Sequence, residues 1–236
     1  MLLFPHTSSL YALPQSLEKK EILYLDGVRY ACEMVHISYD RLCESLEKIT
    51  YEDDPDIHRH LMTAGIHDAW SIIDATDRLR SLVERSDVLK ELKESSPNFF
   101  LNADIVRKLR NVIQHIDTLI PNHANADWPV WGGVRWFQWE KAPNLGISCL
   151  ILAGSHIASR PFYLTEPHQN SSNAPVSNIF LFTKGFEVSL TDLHTLTCAL
   201  STSIESLVAN RTNVPEERQE RFADVFVRAN IDLKRK

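Results

Sequence analysis

The scarcity of glycine is the feature that most constrains the fold of this chain. Only 7 of its 236 residues are glycine, roughly 3% against a usual share of about 7%. Glycine supplies the positive-φ conformations that tight turns need, so a chain with few glycines makes few such turns. The shortage argues against a many-stranded barrel or sandwich and against a glycine-rich nucleotide-binding fold. It favours long helices.

The glycines are also unevenly placed. Gly27 and Gly65 are the only glycines of the first half, and the other five lie between residues 132 and 185. We therefore predict a mainly α fold, an up-and-down helical bundle with a small antiparallel β insertion before its fourth long helix (α+β by strict count). The bundle is predicted to comprise residues 1–124 and 190–236, and the Trp-rich β insertion residues 125–189.

Hydrophobic periodicity gives the positions of the individual elements. Apolar residues that recur every three or four positions predict helices, here over residues 17–49, 56–85, 88–93, 102–120, 193–207 and 215–229. Short runs rich in β-branched and aromatic residues predict strands, here over residues 134–139, 146–153, 179–183 and 186–189. Asn102 is a favourable N-cap for the third long helix, and Ser189 or Thr191 is available to cap the fourth.

Charge and cysteine content bound the class of protein. The net charge of -6 gives no support to a broad nucleic-acid-binding surface, although a local patch stays open. The four cysteines, Cys32, Cys43, Cys149 and Cys198, form no CxxC pair, which is typical of reduced thiols in a cytoplasmic protein. No signal peptide and no apolar run of about 20 residues is present, so we expect a cytoplasmic protein with no membrane association.

Two polar patterns on the predicted helices leave alternatives open. In the second long helix His67, Ser71, Asp74 and Arg78 form a stripe, which indicates either salt bridging on a solvated face or the lining of a site. Four of the five tryptophans lie within residues 128–139. Their rings either pack against other parts of the protein or stack on the bases of a nucleic acid, with Arg135 as a nearby cation. Packing is the favoured interpretation.

Common catalytic motifs are absent from the sequence. It contains no GxxxxGK[ST], GxGxxG, GxSxG or HExxH pattern. One ExxH unit, Glu33 to His36, is present without the second copy that a di-iron bundle needs. His58 and His60 would point about 200° apart on a helix, which argues against a metal ion bound by both. We therefore expect no metal and no cofactor, and the alternative is a metal-binding bundle that uses Glu33, His36 and His67.

The third long helix carries the most informative segment, Leu109-Arg110-Asn111-Val112-Ile113-Gln114-His115. An arginine and a histidine are separated by four residues, and a polar residue follows the arginine. At 100° per residue, with Leu109 at the centre of the apolar face, Arg110, Asn111 and His115 are predicted to point away from the core. The alternative is that they form the ordinary solvated face of an amphipathic helix.

This segment resembles the signature of the HEPN superfamily (higher eukaryote and prokaryote nucleotide-binding domains). The resemblance covers the helical part of the chain and implies a helical bundle that forms a homodimer through the third long helix. It also implies metal-independent cleavage of RNA. In that reaction Arg110 holds the scissile phosphate, His115 transfers protons, and Asn111 orients either the histidine or the phosphate. We place Gln114, Asp74 and Arg78 beside them as candidate substrate-binding residues.

Two functions follow from the resemblance. The first is a metal-independent endoribonuclease of a bacterial defence or toxin–antitoxin system, with RNA as substrate and an antitoxin or another protein as partner. The second is a non-catalytic, dimeric HEPN-like binding or regulatory protein, which the acidic net charge favours slightly. The two hypotheses differ in whether the motifs of two copies face each other across a cleft.

Overall fold

The mainly α fold with a small antiparallel sheet is confirmed. The computed structural model describes residues 3–11, 13, 16–118, 120, 129–140, 146–154, 175–183, 185–211, 224 and 228. The predicted final helix, apart from positions 224 and 228, lies outside the described residues. So do Trp128 and most of the predicted loop between the second and third strands.

The helices and strands follow the predicted order. The helices are α1 (Lys19–Thr50), α2 (Pro55–Arg85), α3 (Leu92–Ser95), α4 (Pro97–Gln114) and α5 (Leu190–Arg211), with a 3-10 turn at Ser9–Tyr11. The strands are β1 (Gly133–Trp139), β2 (Gly146–Leu152), β3 (Val176–Thr183) and β4 (Phe186–Ser189). Within the described part of the chain, no helix combines the length and the apolarity that crossing a bilayer requires.

Helices α1 and α2 form the central pair of the bundle. Only four residues connect them, so the two helices run antiparallel. Asp54 caps α2, and its carboxylate accepts hydrogen bonds from the backbone N–H groups of Asp56 and Ile57 at 2.9 and 3.2 Å. Pro55 occupies the first helical position, where its missing N–H costs nothing.

The third long helix differs from its predicted bounds at both ends. α4 begins at Pro97 rather than at Asn102, because proline is well suited to the first turn of a helix. The Asn102 amide donates to the carbonyl of Asn98 at 2.9 Å inside the helix, so Asn102 is not the cap. The helix ends at Gln114, and His115 is its C-cap.

The short third helix also lies later than predicted, at Leu92–Ser95 instead of residues 88–93. The reason is the buried carboxylate of Glu21. It accepts hydrogen bonds from the Ser86 hydroxyl at 2.7 Å and from the Val88 N–H at 3.4 Å. These contacts fix the segment after α2 as a turn.

The four strands form one antiparallel sheet in the order β2-β1-β3-β4. A bulge interrupts the β1–β3 register between Arg135 and Phe137, and Asn178 opposite it has a positive φ of 51°. β4 leads directly into α5, where the Ser189 hydroxyl accepts a hydrogen bond from the Asp192 N–H at 3.0 Å. Ser189 therefore acts as the predicted cap.

The sheet and the helices share one hydrophobic core. Val134, Trp136 and Leu181 of the sheet pack with buried side chains of α1, α2 and α4. Arg135 forms an ion pair with Glu187 at 2.7 Å and lies over the ring of Phe180, so it is not a free cation beside stacked bases. The packing interpretation is confirmed for Trp136, which is buried.

Candidate functional site

An open groove of about 710 Å³ lies where α2 and α4 meet the end of β2. Most of its lining is apolar and comes from Met62, Ile66, Trp70, Ile113, Trp131 and Ile151. The indole N–H of Trp70 donates to the backbone carbonyl of Trp131 at 3.1 Å, which ties α2 to the segment before β1. Trp131 itself is 47% exposed, so an aromatic surface is accessible to solvent at the rim.

The polar end of the groove is an ion-pair cluster around Arg110. Its Nε donates to Asp74 Oδ1 at 2.9 Å, and one terminal nitrogen donates to Asp77 Oδ2 at 2.8 Å. Asp77 is buried, so Arg110 supplies the counter-charge that its carboxylate needs inside the protein. Asp74 also accepts a hydrogen bond from Arg78 Nε at 2.6 Å.

The electrostatic state of Asp74 follows from these contacts. Partial burial alone would raise the pKa of Asp74, but hydrogen bonds and charges from Arg78 and Arg110 outweigh it and lower that pKa below its usual value. The carboxylate is therefore ionised near neutral pH. The cluster combines two cations with two anions, so it carries no excess positive charge.

The structure brings together some of the predicted site residues and separates others. Arg110, Gln114 and Asp74 line the groove, and Arg78 reaches it only through Asp74. Asn111 and His115 are exposed and do not belong to the lining. Three residues of the polar stripe of α2, His67, Ser71 and Asp74, line this groove, and Asp74 and Arg78 also form the salt bridge of the alternative interpretation.

One expectation about the motif requires correction. Arg110 does not point to the outer face, because its long side chain reaches the carboxylates of α2, and it is only 23% exposed. His115 is exposed, in agreement with its predicted place away from the core, although it is the C-cap of α4 with φ −115° and ψ 27° and not a residue of the regular helix. The two side chains therefore have different surroundings within one copy of the chain.

The alternative metal set Glu33, His36 and His67 is wrong, because the structure keeps these residues apart. The Glu33 carboxylate accepts hydrogen bonds from the backbone N–H groups of Leu3 and Phe4 at 3.2 and 3.0 Å. His67 lies on the groove beside Asp68, 3.3 Å from its carboxylate. His36 instead contacts His194 of α5.

Sequence reasoning missed two residues of consequence. Asp77 lies three residues after Asp74 on α2, so both carboxylates lie on the same face of the helix. This spacing was a signal in the sequence that the two carboxylates bind one cationic side chain. His194 lies one turn before Cys198 on α5, a spacing that places both side chains on one helix face. Burial and the neighbouring His36 lower the pKa of His194 to about 4, while the Asp40 carboxylate opposes the shift.

Comparisons of the chain with models of known protein families, with curated proteins and with solved structures find no match. The resemblance to the HEPN superfamily therefore depends on the Arg110-to-His115 segment and the helical pattern of the chain. It stays a prediction.

Proposed function

We propose that the chain is a HEPN-like binding protein, and that its groove takes one small amphipathic molecule. The observation that carries this proposal is the position of Arg110. Its guanidinium is held by Asp74 and Asp77 at the polar end of a groove whose lining is mostly apolar. A ligand would place its apolar body along the groove and its polar head at this end.

The dimensions of the groove support a small-molecule ligand. Its volume of about 710 Å³ falls within the range of about 300–1,000 Å³ that is common for such sites. Trp70 and Trp131 supply flat apolar surface, which suits an aromatic or alicyclic body. Arg110, Gln114 and Asp74 offer both donors and acceptors to the head group.

The same cluster weakens the case for phosphate binding at this point. Two carboxylates lie within hydrogen-bonding distance of Arg110, and their charges repel an approaching phosphate group. His115 lies outside the groove lining, so a ligand in the groove is not placed against an acid–base catalyst. Binding without chemistry is the simpler function of this geometry.

Titration with the uncharged dye N-phenyl-1-naphthylamine, which joins an apolar aromatic body to one polar amine N–H, tests the proposal, because the carboxylates at the polar end do not repel a neutral head. We expect one dye per chain in isothermal titration calorimetry. Trp131→Glu should weaken the affinity at least about tenfold, because it places a carboxylate in the aromatic rim. Leu23→Glu is the matched control, since Leu23 is an exposed apolar residue of α1 outside the groove lining. Equal affinity of the two variants would contradict the proposal.

Metal-independent cleavage of RNA is the second candidate function. The observation that favours it is the exposure of Asn111 and His115 at the end of α4, where a second copy of the chain can reach them. In a symmetric dimer the same patch is presented twice, so Arg110 of one copy and His115 of the other can meet at one phosphate. His115 would transfer protons between the ribose 2′-hydroxyl and the leaving oxygen.

An RNA cleavage assay in the presence of EDTA separates the two functions. Under the ribonuclease hypothesis the wild type cleaves, and His115→Ala and Arg110→Ala each lower the rate by about 100-fold or more. His60→Ala is the control, because His60 is an exposed histidine of α2 away from the motif. Equal cleavage by wild type and His115→Ala would reject the catalytic role, and no cleavage at all would favour the binding protein.

A further inference from the structure

A group of three metal-binding side chains lies between α1 and α5, on residues that neither proposed function uses. His36 belongs to α1, and His194 and Cys198 belong to α5, one helical turn apart. Their three ligand atoms lie within 4.8 Å of one another. No metal was expected from the sequence, because His36 was combined there only with Glu33 and His67.

Two of the three distances within this group are close to those of a tetrahedral zinc site. His36 Nδ1 lies 2.9 Å from His194 Nε2, and Cys198 Sγ lies 3.5 Å from the same nitrogen. Zn–N bonds of about 2.0 Å and a Zn–S bond of about 2.3 Å separate two ligand nitrogens by roughly 3.3 Å and a nitrogen from a sulfur by roughly 3.5 Å. To admit the ion, the two nitrogens must separate by about 0.4 Å, and the nearly parallel rings, with planes 10° apart, must turn so that both lone pairs converge on one point. His36 Nδ1 and Cys198 Sγ, which lie within 4.8 Å of each other, must come to roughly 3.5 Å.

A carboxylate lies near the first imidazole of this group, and an aromatic ring packs on the second. The other ring nitrogen of His36, Nε2, lies 3.6 Å from the carboxylate of Asp40. A carboxylate behind a ligating histidine orients its ring and increases its basicity. Tyr39, also of α1, stacks its ring on His194 of α5 with centroids 4.1 Å apart, and the Tyr39 hydroxyl donates to Thr191 at 3.2 Å.

We propose that His36 Nδ1, His194 Nε2 and Cys198 Sγ form a zinc(II) site that joins α1 to α5. Two imidazoles and one thiolate are ligands of the intermediate softness that zinc prefers. The three side chains are only partly buried, so the ion has a path from solvent. Three protein ligands leave one position, which water fills in zinc sites of this kind.

Titration of reduced, EDTA-treated protein with Co(II) tests this site, because a cobalt–thiolate bond gives a charge-transfer absorption that zinc lacks. We expect one Co(II) per chain with this absorption, and we expect Zn(II) to displace it. Cys198→Ser should abolish the charge-transfer band, and His36→Gln and His194→Gln should each weaken the binding at least about tenfold. Asp40→Asn should weaken it by about 10- to 100-fold while the band persists.

Two controls separate this site from adventitious binding to other cysteines and histidines. Cys149→Ser removes a second partly buried cysteine, and His60→Gln removes an exposed histidine, so both variants should bind Co(II) as the wild type does. Circular dichroism checks that each variant is folded. As an independent readout, Zn(II) should raise the melting temperature of the wild type but not of Cys198→Ser. Binding without a thiolate band, or a band that survives Cys198→Ser, would overturn the proposal.

Discussion

At the residue scale, Arg110 has a structural role that any functional test must take into account. Replacement by alanine leaves the buried carboxylate of Asp77 without its counter-charge, and we expect the free energy of unfolding to fall by about 3 kcal/mol. Arg78→Ala is the matched control, because the ion pair of Arg78 with Asp74 is exposed and contributes less than about 1 kcal/mol to the free energy of unfolding. Urea denaturation measures both.

A double-mutant cycle separates the ion pair from other effects of the arginine. Asp77→Asn removes the negative charge, so the loss caused by Arg110→Ala should shrink when both changes are combined. If the two changes are instead additive, Asp77 does not depend on Arg110. For the same reason, loss of any activity in Arg110→Ala needs a measurement of folding beside it.

A second residue-scale prediction concerns pH. In metal-free protein the folded state holds the pKa of His194 at about 4, below the usual 6.5, because of burial and the neighbouring His36. When the pH is lowered, the unfolded chain binds a proton at this histidine before the folded protein does. The free energy of unfolding should therefore fall as the pH decreases from 6.5 towards 4. His194→Gln should flatten this part of the stability profile, measured by urea denaturation with EDTA. An unchanged slope between pH 6.5 and pH 4 in His194→Gln would contradict this prediction.

At the element scale, Gly132 fixes the entry into the sheet. It has a φ of 72°, and a Cβ at this position would lie 2.2 Å from the backbone oxygen of Phe182. Gly132→Ala should therefore lower the free energy of unfolding by about 3 kcal/mol or more. Gly185→Ala is the control, with a φ of 85° but no atom within 4 Å, and should cost only about 1 kcal/mol. Thermal denaturation compares the two, and equal losses would contradict the role of the close contact.

The elements were more predictable than their ends. The apolar periodicity of α1, α2 and α5 survives in the structure because one continuous face of each helix is buried. The start of α4 was wrong by five residues, since a proline at the first turn and an asparagine further on are both acceptable beginnings. The direction of the Arg110 side chain, predicted from the rotation of its own helix at 100° per residue, was also wrong. The carboxylates that hold Arg110 lie on α2, and only tertiary packing brings them within reach.

At the scale of the whole molecule, dimerisation through α4 stays a prediction with a direct test. Leu101 on this helix is 67% exposed, which suits a contact surface between two copies. If the dimer forms there, Leu101→Glu should produce monomers in sedimentation equilibrium, while Leu23→Glu on α1 should remain dimeric. A wild type that is monomeric at micromolar concentration would contradict the prediction.

The direct junction between β4 and α5 has a mechanical consequence. No loop separates Ser189 from Leu190, and His194 lies only one turn into the helix. A loop would absorb a displacement of this sheet edge by bending, whereas a continuous strand-to-helix joint transmits it along the helix axis. Any displacement of this sheet edge would therefore reach the first turn of α5 and change the position of the His194 imidazole.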